Sequence, residues 1–496
     1  MRGEKLAKNT FSSLIYQIAA IICGFILPRL ILVSFGSDIN GLVNSITQFL
    51  QVIAFLELGV GAVVQSSLYK PLAEKDDVLT SKIIVSAGKF FKRIAEILLI
   101  YVIFLLIFYP LITKQNFSHI YTATLVAAMS ISSFAQYYFG VVDRLLLTAD
   151  QRGYIQYNAQ TVTIILNTIA CAIIIHFGAS IQLVKLVTSL IYLIRPIFLR
   201  LYVNRHYHLN RKITYAEEPI KQKWNGITQH VAAVVLDGTD NIVLTVFSTL
   251  SNVSIYSVYY MIVFGIKQLF MSLTNGVQAL IGELWAKQEL DTLNDFFGWV
   301  EWIIHTGVVL VFTCTGLLIL PFVSVYTSGV TDANYIQPLF AIIITCANAM
   351  HCLRLPYNIM ILAGGHYKQT QNNYIIAALM NILISIVAVK FWGLVGVAIG
   401  TLCAMTYQTV WMAIYDSNNF VKWPLHSFLK QILVDILTVV VCVMISMPVK
   451  LSSISYFSWF IMAIEIAVIV SIVVIIVNLI FYRSKLIKMR NKILHK

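Results

Sequence analysis

The chain has 496 residues, of which 59% are hydrophobic and 11% charged, and its mean hydropathy is +0.81. That composition excludes a soluble globular protein and places the chain among polytopic membrane proteins. The formal charge of +13 does not point to nucleic acid, because the basic residues mark one side of a membrane instead of forming a continuous patch.

About fourteen apolar spans follow in chain order, roughly 11–34, 40–69, 83–112, 120–147, 154–177, 181–203, 224–250, 255–282, 299–321, 336–363, 372–391, 394–416, 427–447 and 456–481. Each is long enough to cross about 30 Å of hydrocarbon. The first carries Pro28 and Arg29 and lacks a small-residue cleavage site, so it reads as a span and not as a cleaved signal. If the spans alternate, Arg2, Lys5 and Lys8, the basic loop 204–223 and the tail from Arg483 to Lys496 share one face; the opposite loops hold Lys114, Lys390 and Lys450. By the positive-inside rule both termini are expected to be cytoplasmic. The seven cysteines lie within spans without metal-site or redox spacing, so they read as packing residues and no cofactor is expected. The outer loops are short, the longest about 322–335, which leaves no room for an external catalytic domain. A transporter is expected, not an enzyme.

The basic loop separates six spans from six more. A shift of 214 positions superposes Gly24 on Gly238, Ala149 on Ala363, Asn158 on Asn372, Asn167 on Asn381 and Phe177 on Phe391; a shift of 217 superposes Gly59 on Gly276, Ala62 on Ala279 and Lys70 on Lys287. The spacing predicts an all-α membrane protein with two pseudo-symmetric six-helix lobes, 1–203 and 224–416, joined by the loop 204–223 and followed by an appended pair of spans and a basic tail, 417–496. Such a repeat puts a ligand site near mid-membrane. Asp435 and Glu465, in the appended pair, are weaker candidates for it. Pro28, Pro110, Pro196, Pro321, Pro338 and Pro356 mark kinks or ends, and Gly396 with Gly400 forms a close-packing pair. The stretch 81–93 mixes lysines with apolar residues and reads either as an interfacial segment or as ordinary basic flanking.

Polar residues inside the spans mark the candidate site, since a bilayer does not hydrate them. In the apolar run from Trp224 to Leu250, a helix brings His230, Asp237, Asp240 and Asn241 onto one stripe. Span 8 lines up Tyr256, Tyr259, Tyr260, Lys267, Thr274 and Gln278; the tyrosines suit sugars or form an interfacial belt, and Lys267 offers a point charge at mid-depth. Span 10 aligns Asn348, His351, Arg354 and Asn358, and span 4 aligns Ser133, Gln136, Tyr137, Gly140 and Arg144. Span 2 runs Asn40, Asn44, Thr47, Gln48 and Gln51 along one face, with Glu57 pointing nearly the other way. Arg29 and Arg354 either bind a pyrophosphate or neutralise Asp237 or Asp240. Arg144 is explained as well by snorkelling as by ligand binding. Glu301 and His305 form either a proton relay or a local structural pair.

Leu27, Pro28, Arg29, Gly41, Leu42, Phe49, Leu50, Gln51, Glu57 through Gly61, and Leu68 through Ala73 together resemble the start of bacterial polysaccharide flippases of the Wzx type. The run Gly238 to Leu244 followed by Tyr256, Ser257, Tyr259 and Tyr260 resembles their seventh and eighth spans. The resemblance covers essentially the whole chain and extends to the wider superfamily of multidrug (MATE-like) and lipid-linked oligosaccharide exporters. It implies movement of an undecaprenyl-pyrophosphate-linked oligosaccharide across the bacterial inner membrane by alternating access, coupled to a proton or sodium gradient. A polysaccharide polymerase and a chain-length regulator would be its partners. On that reading Arg29, Lys267 and Arg354 take the pyrophosphate, with Tyr256, Tyr259, Tyr260, Gln51 and Arg144 around the cargo. Asp237, Asp240, Asn241 and Glu57 serve ion coupling or gating. A multidrug exporter moving cationic drugs is the competing expectation.

Overall fold

The computed structural model describes residues 2–52, 55–113, 117–220, 238–421 and 425–485, and within these the side chains of 2–4, 6, 7, 55–59, 62, 275, 276 and 279 stand outside the description. His230 and Asp237 lie outside the described residues, as does the side chain of Glu57. The described chain is helical throughout, and twelve of its helices are long and apolar enough to cross a membrane. Of the other two predicted spans, 40–69 is divided between two helices that meet near Val52, and 224–250 is described only from residue 238. The chain is therefore a multi-pass membrane protein.

Two compact units make up the chain, Met1–Val234 and Val235–Lys496. The first contains α1 (Arg2–Phe35), α2 (Ser37–Gln51), α3 (Phe55–Glu74), α4 (Asp77–Thr113), α5 (His119–Ala135), a π-helical turn (Gln136–Gly140), α6 (Val141–Ala149), α7 (Gly153–His176) and α8 (Ile181–His206). The second contains α9 (238–247), α10 (Leu250–Ala286), α11 (Leu290–Tyr326), α12 (Pro338–Leu353), α13 (Leu355–Ala363), α14 (Tyr367–Trp392), α15 (Leu394–Asn419), α16 (Leu425–Ser446) and α17 (Tyr456–Phe481). At 37 residues, α4 and α11 are each about 55 Å long and outreach the hydrocarbon.

The helix limits repeat between the units. α4 and α11 are 213 positions apart at both ends, and α6 and α13 are 214 apart at both ends. Left-handed turn residues keep this spacing closely: Lys75 and Gln288, Gln151 and Gly365, Gly178 and Gly393. A non-glycine residue rarely adopts positive φ, so these matched exits identify corresponding helix ends. Even the irregularities coincide. The π turn ends at Gly140, and 214 positions later Arg354 interrupts the helix between α12 and α13, where Pro356 starts a new segment. Packing repeats as well, with α4 on α5, α5 on α8 and α7 on α8 in the first unit matched by α11 on α12, α12 on α15 and α14 on α15 in the second.

Side-chain caps satisfy the first amides of several helices: Ser118, Ser180, Thr249 and Ser455 each accept from the amide three residues on. At one end of the first unit Asp150 gathers Lys5 (3.3 Å), Arg152 (2.9 Å) and the Tyr207 hydroxyl (2.6 Å). Burial and the bond to Asp150 push the Tyr207 pKa upward, so the phenol remains a donor. The start of α1, the α6–α7 turn and the end of α8 therefore share this basic end, as the alternation of spans predicted.

The appended pair α16 and α17 packs on α11 through an apolar cluster that includes Val309, Val434, Met462 and Val470. Buried polar bonds fix the register: His305 Nδ1 lies 2.6 Å from Asp435, and Trp302 Nε1 donates to Asn478 at 2.7 Å. Glu301 accepts from the Tyr357 hydroxyl at 2.6 Å, so the Glu301 and His305 expected to pair with each other turn to different helices.

Candidate functional site: a polar cavity in each lobe

In the second unit, α9, α10, α12 and α15 enclose a cavity lined by Asp240, Tyr256, Tyr260, Lys267, His351 and Thr401, among others. Water centres have about 10 Å³ there, room for roughly one molecule. The Asp240 carboxylate is 3% exposed and accepts from Tyr256 (2.8 Å) and Thr401 (2.7 Å), with the Asn381 amide further off at 3.5 Å. Asn381 is oriented by its other bonds, accepting from Thr239 at 3.0 Å and donating to Thr401 at 3.0 Å. Two glycines make this arrangement possible. A Cβ on Gly396 would run into the Ala388 backbone, and one on Gly400 would meet Ser385, so α14 and α15 approach closely enough for Asn381 and Thr401 to bond. Lys267 is buried and its ammonium lies 5.2 Å from the Phe264 ring and 5.8 Å from that of Tyr260.

In the first unit a larger cavity, about 450 Å³, opens among α1, α2, α5, the π turn, α7 and α8. Its wall takes Thr47 and Gln51 from the predicted span 2 stripe and Ser133, Gln136 and Tyr137 from the span 4 stripe. Asn167 and Lys185 complete it. Among the described residues Lys185 is the charged member of this lining, and none of them contributes a carboxylate.

The two cavities are the same place in the repeat. Offsets of 213 relate Leu27 to Asp240, Thr47 to Tyr260, Lys185 to Ala398, Thr188 to Thr401 and Tyr192 to Met405; offsets of 214 relate Ser133 to Ala347 and Tyr137 to His351. Asn167, in the first wall, corresponds to Asn381, which holds Asp240. The charges have changed sides: the second unit puts a carboxylate where the first has Leu27, and the first puts an ammonium where the second has Ala398.

The remaining expected residues fall around these cavities. Arg354 is buried at the α12–α13 break against the His351 ring, 3.4 Å away, and is not in the cavity lining. Tyr259 turns from the cavity, donating to the Tyr335 carbonyl at 2.7 Å, so of the three tyrosines Tyr256 and Tyr260 face the interior. Asn241 is buried, and its backbone carbonyl accepts from the Thr245 hydroxyl. Arg29 and Arg144 are half-buried on α1 and α6 outside the cavity lining. The sequence reading missed Lys185, Asn381 and Thr401. For Lys185 a signal existed, since Lys185, Thr188, Ser189 and Tyr192 follow helical spacing on one face and all line the cavity.

Together the helices and the paired interior cavities define a polytopic, all-helical membrane protein built from two repeated units. The lipid II flippase MurJ, in an inward closed conformation, aligns over 96% of this chain and 99% of its own, with a TM-score of 0.70 and 16% identity. A mutant of the Vibrio cholerae MATE transporter VcmN aligns over 83% of this chain and 95% of its own, with a TM-score of 0.58 and 13% identity. An inward-facing multidrug resistance MATE family transporter of the MOP superfamily aligns over 82% and 95%, with a TM-score of 0.57 and 14% identity. At these identities the likeness is one of fold. No protein-family model matches the sequence, and no curated protein does.

Proposed function

We propose that the protein is a flippase that moves an undecaprenyl-pyrophosphate-linked oligosaccharide from the cytoplasmic to the outer leaflet of a bacterial inner membrane, with both termini cytoplasmic. The observation that carries this reading is the first-unit cavity, where, among the described residues, a lysine stands among neutral polar groups and no carboxylate lines the wall. An ammonium there attracts phosphate charge, and the amides and hydroxyls of Gln51, Gln136, Asn167 and Ser133 suit sugar hydroxyls. Cationic cargo would meet repulsion instead. Lys267, Arg354 beside its cavity and, in the first unit, Arg29 are proposed as further phosphate partners, and Asp240 as the group that couples transport to a proton or sodium ion. A polysaccharide polymerase and a chain-length regulator would receive the delivered glycan.

The second reading, export of cationic drugs, is favoured by Asp240 in the second cavity and by the MATE-like fold. Transport by the purified protein in vesicles separates the two. A flippase moves a fluorescent prenyl-pyrophosphate oligosaccharide and leaves a cationic dye behind; movement of the dye alone sinks the flippase reading.

A further inference from the structure

We propose that the basic end of the first unit carries a binding site for an anionic phospholipid of the surrounding leaflet, apart from that unit's interior cavity, with which it shares no lining residue. A pocket of about 510 Å³ lies between α4, the π turn, α6 and α8. Lys89, Lys92, Arg200 and Arg211 stand in its wall, and no described residue adds a carboxylate to the lining. Behind them Asp143, fully buried, holds Arg200 at 3.1 Å and Arg211 at 2.6 Å. Glu218 accepts from Ser86, close to Lys89 along α4. Among these described residues, even if both carboxylates are set against the four cations, two positive charges remain. Lys89 and Lys92 rest on the Tyr215 and Tyr138 rings at 4.6 and 5.2 Å, contacts that leave ammonium protons for an acceptor. The buried Nε of Arg211 has no hydrogen-bond partner among the described residues.

The floor of the pocket identifies the ligand as a lipid and not as free phosphate. Phe139, Val142, Pro196 and Ile84 form an apolar base, shaped by the π turn and by Gly140, whose Cβ position lies 3.0 Å from Pro196. Ile197 and Leu201 belong to the wall and are 51% and 64% exposed, and Ile194 and Phe198 continue their face of α8 with similar exposure. An apolar track thus leads from the hydrocarbon to a basic rim. A pocket of this kind at a membrane surface suits a phosphodiester headgroup with its chains lying along the helix. The anionic head of a prenyl-pyrophosphate has related chemistry, so the test includes it.

The experiment uses the full-length protein in nanodiscs with defined phosphatidylglycerol in phosphatidylcholine, and counts retained lipid by native mass spectrometry after exchange into detergent. Phosphatidylglycerol is expected to be retained in preference to phosphatidylcholine. Lys89→Gln with Lys92→Gln should weaken that retention about tenfold or more, at about one kcal/mol per basic residue near the surface. Gly88→Leu tests the pocket without altering charge: no atom lies within 4 Å of a Cβ at Gly88, so the new side chain fills the space and should also displace the lipid. Thermal melting in phosphatidylcholine alone reports whether each variant is folded. Equal retention of both lipids, or unchanged retention in the folded variants, overturns the proposal. Displacement of phosphatidylglycerol by inorganic phosphate, or occupancy by prenyl-pyrophosphate alone, overturns it too.

Discussion

Asp240 accepts from Tyr256 and Thr401, and such hydroxyl donors stabilise a carboxylate without cancelling its charge. A proton or a small cation arriving at this carboxylate would change the balance of the whole cluster, which is why the coupling role is proposed here. Asp240→Asn keeps the shape and removes the charge. Transport in vesicles by that variant should lose its response to an imposed proton or sodium gradient, and a retained response would assign coupling elsewhere. Tyr256→Phe removes one donor and should cost about 1–2 kcal/mol of stability, read as a lower melting temperature in detergent. Asp240 was legible from sequence because an acid in an apolar run announces itself. Lys185 was not, since a lysine five residues into α8 has the same appearance as one that snorkels to an interface. Its face partners Thr188, Ser189 and Tyr192 supply the difference, and they are neutral residues that a search for charge passes over.

Close helix contact, predicted from Gly396 and Gly400, turns out to do more than pack α14 on α15: it also brings Asn381 and Thr401 to Asp240. Gly396→Ala should therefore both destabilise the fold by about 1–3 kcal/mol, through overpacking, and disturb the Asp240 cluster. A melting temperature equal to that of the parent chain would show that the helices separate without cost. On the other side of the second unit, α16 is tied to α11 by His305 and Asp435. Asp435→Ala leaves a buried ring nitrogen without its partner and should cost about 2 kcal/mol, measured by thermal unfolding. An i to i+4 pair on one helix suggested instead that Glu301 and His305 meet. Sequence spacing shows only which residues share a helix face; the helices packed against that face decide which groups they bond. The π turn at Gln136–Gly140 had no signal in the sequence; it ends at Gly140, where a Cβ would lie only 3.0 Å from Pro196 of α8, a contact between helices that spacing along one helix does not reveal.

Over the whole chain, the periodic apolar runs gave the spans, and the sparse matches at an offset of 214 anticipated the repeat. The helix limits and left-handed turns now carry that offset far more densely than residue identities did. Backbone geometry persists where side chains have been exchanged. The same exchange explains why the site was only partly legible: corresponding cavity positions hold Leu27 and Asp240, or Lys185 and Ala398, so the sequence offers no identity to align at the places that matter most. It left each lobe with a cavity of different size and charge, in keeping with the proposed function, in which one takes the anionic cargo and the other the coupling ion. The most direct test replaces Lys185 with Gln in the purified protein and measures translocation of prenyl-pyrophosphate oligosaccharide into vesicles at matched protein amount. Loss of one charge-assisted contact predicts a fall of about tenfold or more. Translocation at the parent rate would contradict the account.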